Sequence, residues 1–193
     1  MPEENGTWVV LFAPFVIGIL AAWRFAIADI ALAGALFFLC LLRTPLSLLA
    51  AADFKSFPSQ TKPTLIVATA HGLFLGLILL LRHHLWLLLP MALLGFLLFV
   101  LESRRKRGDT RAFLSICALT LSAPAAFYAS SGTLTPVALL LWLICITYFS
   151  ITTIYTWGWF KNRVIAKKSP LVLLTHSALF TTAIALIFSL VRA

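Results

Sequence analysis

Leu101-Glu-Ser-Arg-Arg-Lys-Arg-Gly-Asp-Thr-Arg111 is the one dense run of charge in a chain of 193 residues, and a long apolar segment stands on each side of it. Working outward, apolar segments follow one another to both termini. Residues of the apolar type make up 62% of the sequence and charged residues only 11%. A soluble domain carries roughly half apolar and a quarter charged residues, so a fold this small has too little polar surface to face water. The sequence therefore predicts a single all-α membrane domain spanning residues 1–193.

Seven spans can be marked, at about 8–23, 26–43, 63–81, 85–101, 112–130, 136–159 and 169–191. Each is near the roughly 20 residues that cross the hydrocarbon core as a helix. Backbone groups have no water to bond inside lipid, which favours helices, and the short alternating strands of a barrel are missing. With seven spans, the loops 43–62, 102–111 and 160–168 share one side with the N-terminus. That side collects Arg43, Lys55, Lys62, Arg104, Arg105, Lys106, Arg107, Arg111, Lys161, Arg163, Lys167 and Lys168, while the other holds Arg24, Arg82 and Arg192. The positive-inside rule then puts the N-terminus in the cytoplasm and the C-terminus outside. The expected location is the bacterial inner membrane, with multiple passes.

The formal charge of +9 is accounted for by this topology, so nucleic acid is not an expected partner; membrane lipids are, and so are other subunits of a membrane complex. Arg43, Arg104, Arg105, Lys161 and Arg163 are candidates for anchoring on lipid phosphate. Met1–Thr7 is acidic and lacks a basic n-region, so the first apolar segment is expected to stay in the protein. Trp8, Trp157 and Trp159 on one side and Trp23, Trp86 and Tyr128 on the other fit interfacial belts. Pro14, Pro90 and Pro124 fall inside spans and predict kinks, and Gly72-Leu-Phe-Leu-Gly76 predicts close helix packing.

Chemistry-bearing groups are sparse. The acids Glu3, Glu4, Asp29, Asp53, Glu102 and Asp109 fall at span ends or in loops, which argues against an ion-coupled pump. Cys40, Cys117 and Cys145 have no metal or redox spacing, and no metal site is expected. His71 and His176 lie at similar depth, roughly 10–12 Å inside the first side at 1.5 Å per residue. Three readings stay open for them: hydrogen bonds between helices, a shared ligand pocket, or axial ligation of haem. Tyr148, Thr152 and Tyr155 recur at helical spacing with Trp159 and form either a packing face or a cavity wall. Neither a nucleophile elbow nor a phosphate loop is present.

Pro2-Glu-Glu-Asn-Gly-Thr-Trp8 before a span with Pro14, the run ending Gly108-Asp-Thr-Arg111, Ala123-Pro-Ala-Ala126 and Leu174-Thr-His176 resemble the YwiC-like family of bacterial membrane proteins. That family usually opens Pro-x-Glu-His-Gly-x-Trp, and Asn5 stands where its histidine stands. The layout is also similar to that of UbiA-type intramembrane prenyltransferases, whose Asp-rich loops bind Mg²⁺ and a prenyl diphosphate. Of the corresponding loops here, 43–62 holds only Asp53 and 160–168 holds no acid, so Mg²⁺-dependent transfer is not expected. What these likenesses imply is an accessory or structural subunit, or a lipid- or isoprenoid-binding bundle with a degenerate prenyltransferase-like cavity. The alternatives are an enzyme acting on a lipid-linked or isoprenoid substrate, a haem-bearing electron-transfer subunit and a small-solute transporter.

Overall fold

The computed structural model describes residues 3–51, 61–81, 86–104, 109–161 and 169–192. Eight helices follow in order: α1 (Glu3–Ala22), α2 (Ile27–Ala51), α3 (Thr61–Leu81), α4 (Leu88–Arg104), α5 (Asp109–Thr120), α6 (Ser122–Ser131), α7 (Pro136–Lys161) and α8 (Ser169–Arg192). No strand occurs among the described residues, so the all-helical expectation holds. Among the described residues two stretches suffice by length and composition to cross a membrane, Thr110–Ser131 and Pro136–Thr153, and five shorter apolar helices accompany them.

Three boundaries differ from the expected ones. The second segment does not stop at residue 43 but continues as helix to Ala51, nine residues into the expected loop. The fifth is broken at Leu121 into α5 and α6. The two ends of the opening charge run are helical, Glu102 in α4 and Arg111 in α5, while residues 105–108 lie outside the described ones. Arg111 Nε lies 3.8 Å from Glu102 Oε1, and Glu102 is only 5% exposed. Packing α4 against α5 buries that acid.

The break at Leu121 has a chemical cause. Pro124 has no N–H, so the Thr120 carbonyl one turn earlier loses its helical donor. Thr120 Oγ1 turns back to donate to the Ile116 carbonyl at 2.7 Å. The Cys117 carbonyl accepts from Trp142 Nε1 of α7 at 3.2 Å. Ser122 Oγ donates across to the Leu11 carbonyl of α1 at 2.7 Å, within one turn of that helix's own Pro14. Carbonyls near these prolines thus accept from hydroxyls and an indole, one way a helix carrying proline is tolerated away from water.

Helix α6 is the centre of the bundle. Every residue from Ser122 to Ser130 is buried, and α1 packs closely along it. Its composition explains this: Ala123, Ala125, Ala126 and Ala129 are small enough to let backbones approach. Gly18 of α1 sits at the crossing, facing Ala123 and Ala126. Phe15, Ala28, Leu32, Leu79, Leu88 and Tyr128 close around the same point from α1, α2, α3, α4 and α6. Gly132 ends α6 with φ 74°, its N–H donating to the Tyr128 carbonyl at 2.8 Å. Ser122→Ala removes the α6–α1 link at a buried site. The expected cost is about 1 kcal/mol in thermal unfolding of the detergent-solubilised protein, the usual worth of one such bond; unchanged stability would mean the Leu11 carbonyl does not depend on it.

The link between α1 and α2 is as tight as the sequence suggests. Trp23 takes φ 52° directly after Ala22, a left-handed position that glycine usually fills. Its ring meets Phe188 of α8 at 5.9 Å, edge to face. The end of α1 and the last turns of α8 therefore lie at the same end of the molecule.

Candidate functional site

Helices α7 and α8 bring together most of the described residues that the sequence singles out. Thr152 Oγ1 donates to the Tyr148 carbonyl one turn back, at 2.8 Å. His176 reaches that same carbonyl from α8, with Nε2 at 3.2 Å. A carbonyl only accepts, so Nε2 carries the proton in this contact. The imidazole stacks on the Tyr148 ring at 5.0 Å and 14°, and Phe180, one turn further along α8, stacks on Tyr148 at 4.0 Å and 25°. His176 and Phe180 share a helix face because they are four residues apart. As built, the cluster clamps α8 onto α7, and the histidine makes the interhelical hydrogen bond that was one of its three readings.

His71 is placed differently. Its Nδ1 lies 2.8 Å from the Val67 carbonyl of its own helix α3, so Nδ1 is the protonated nitrogen. The exposed ring stacks on Phe38 of α2 at 5.1 Å and 27°. Each histidine is thus held by its own helix pair, His71 by α3 and α2 and His176 by α8 and α7. Arg104 is exposed in the last turn of α4. Arg105 and Arg163 lie outside the described residues, and the side chains of Asn5, Arg43, Tyr155 and Lys161 lie outside the described ones. Among the described residues no three histidines, cysteines or acids come together as a metal site.

One polar centre was read from the sequence only as a span end. Asp29 is 1% exposed. It is the third residue of α2, and its Oδ2 accepts from the Ala26 N–H at 2.7 Å while its own N–H donates to the Ala26 carbonyl at 2.9 Å. That is the acidic half of a capping box, with alanine where serine or threonine normally supplies the other half. The Ser130 hydroxyl of α6 lies 2.9 Å from both carboxyl oxygens. The available signal was an acid three residues into a helix, where it meets the positive end of the helix dipole. The partner 101 residues away left no local trace.

No curated protein and no solved structure matches this chain. The family model for YwiC-like protein matches residues 1–131, stopping at the end of α6, so the His176 cluster and the likeness at Leu174–His176 lie outside it. Those residues cover well over half of the chain and include the α1–α6 crossing and the Asp29–Ser130 centre, and this chain belongs to the YwiC-like family.

Proposed function

We propose that this chain is a multi-pass protein of the bacterial inner membrane, N-terminus inside and C-terminus outside, acting as a non-enzymatic accessory subunit that binds a lipid or isoprenoid on its helical surface. The observation that supports this reading most is the apolar exterior. Val9, Val16 and Leu20 of α1, Leu73, Phe74 and Leu77 of α3, Leu93, Phe96 and Leu97 of α4, Leu139 and Leu143 of α7, and Leu179 and Leu186 of α8 are all exposed. A water-soluble monomer rarely exposes apolar patches beyond a few hundred Å², whereas lipid is the solvent that such faces match. The charge run between α4 and α5 then lies at the cytoplasmic surface, where Arg104 meets anionic headgroups.

Topology and ligand are tested together. The protein should resist carbonate extraction from membranes. A reporter fused after Ala193 should behave as external, and one inserted at 105–108 as cytoplasmic. Native mass spectrometry after gentle extraction should find a bound lipid or isoprenoid. Release by carbonate, or both reporters on one side, would overturn the topology; a bare monomer from native membranes would overturn the lipid-binding role.

A further inference from the structure

We propose that the aromatic row ending at His71 is a binding site for a membrane-dissolved lipid whose head is a flat ring bearing a hydroxyl, a phenol or hydroquinone. The inference rests on the lipid-binding reading above and names its ligand class. Four ring contacts run across three helices without a gap. Phe12 stacks on Trp8 at 5.8 Å, Trp8 meets Phe37 at 5.5 Å, Phe37 meets Phe38 edge to face at 5.6 Å, and Phe38 stacks on His71 at 5.1 Å. Phe37 is 43% exposed and Phe74, three residues along α3 from His71, is 62% exposed. Phe74 gives the same stretch of α3 a further exposed aromatic ring, without a recorded ring contact to His71.

The polar end of the row has a defined sense. Because Nδ1 donates to the Val67 carbonyl, the neutral imidazole keeps a lone pair on Nε2. No partner for Nε2 occurs among the described residues. An exposed acceptor at the end of an aromatic shelf selects a ligand that offers one donor beside a flat ring. Depth narrows the class further. His71 lies ten residues from each end of α3 (Thr61–Leu81), roughly 15 Å from each at 1.5 Å per residue. Charged headgroups do not go so deep without a large desolvation cost. A neutral ring hydroxyl on an otherwise apolar lipid does.

The test uses the full chain in phosphatidylcholine nanodiscs with three probes: a hydroquinone carrying one isoprenyl tail, its dimethyl ether, and farnesol. The ether stacks but has no donor; farnesol donates but has no ring. Binding is measured by equilibrium dialysis against empty nanodiscs, with the His71 Nε2 resonance followed by ¹⁵N NMR. The hydroquinone is expected to bind at least tenfold tighter than either control and to shift that resonance. His71→Leu should lose the tenfold preference, His71→Gln should keep part of it through its amide oxygen, and Phe38→Leu should weaken both ring probes. All three variants should unfold at the wild-type temperature within a few degrees. Equal hydroquinone binding by His71→Leu, or equal binding of the ether or farnesol to the wild type, would overturn the site. A wild-type protein that retains native lipid but binds no hydroquinone would overturn this ligand class alone, whereas one that retains no lipid removes the underlying reading.

Discussion

Gly18→Ala is expected to destabilise the protein by about 2 kcal/mol, within the range for overpacking a filled core, in spite of the roughly 1 kcal/mol by which alanine is the better helix former. A Cβ on Gly18 would run into the Ala123 carbonyl and stand 2.9 Å from the Ala126 Cβ. Neither neighbour can move aside by rotating a side chain, because one is backbone and the other is fixed to it. The α1–α6 crossing has to widen, and with it the close approach on which Ser122 depends to reach Leu11. Gly34→Ala is the matched control. There the new methyl would stand 2.8 Å from Leu75 Cδ1, the free end of a flexible side chain, and a rotamer change relieves it at a cost of roughly 1 kcal/mol or less. Thermal unfolding of both variants in the same detergent decides the matter. If Gly18→Ala melts with Gly34→Ala, the crossing is not the tight point of the fold.

Asp29→Ala is expected to cost about 2–4 kcal/mol. The substitution strips the acceptor from two donors, the Ala26 N–H and the buried Ser130 hydroxyl. Losing a helix cap typically costs about 1 kcal/mol, and leaving a buried donor unsatisfied about 1–3 more. Asp29→Asn should fall between wild type and alanine, since one amide oxygen still serves Ala26 and the Ser130 hydroxyl can rotate to accept from the amide. Ser130→Ala should cost less than Asp29→Ala, because the cap to Ala26 survives. A double-mutant cycle on the pair should give a coupling of about 1 kcal/mol, between the ~0.6 average and ~1.7 maximum of interhelical bonds measured in a membrane bundle. A coupling of zero would show that the contact at 2.9 Å holds nothing together. Because Asp29 opens α2 and Ser130 closes α6, this pair also fixes which ends of those helices lie together.

Much of the architecture could be read from the chain because the length of an apolar run and the charge beside it are local properties. A run of roughly 20 apolar residues bounded by charge is a helix whatever it packs against. That rule located the starts and ends of most segments to within a few residues, the short link after α1 among them. It failed at Ala51, where the helix runs on past Arg43, the charge expected to end it. The candidate residues were less legible. Tyr148, Thr152 and His176 came out in one cluster because residues four apart on α7 share a face and α8 follows α7 directly. His71 met α2 instead, and nothing in its own neighbourhood of sequence distinguishes the two outcomes.

What the sequence determined by itself is the helical class, the order of the segments and the placing of charge between them, since each depends on local composition and on the solvent it suits. What only the tertiary structure decided is which segment is central and which polar groups are buried. Helix α6, with its alanines and serines, is the least conspicuous of the apolar stretches, yet it fills the middle because small side chains let α1 come close. Asp29 and Glu102 read as acids at span ends or in loops and are buried by helices distant or adjacent in sequence that cover them. Burial is a property of the neighbours a residue acquires, and those neighbours are set by packing across the whole bundle rather than by the residues on either side.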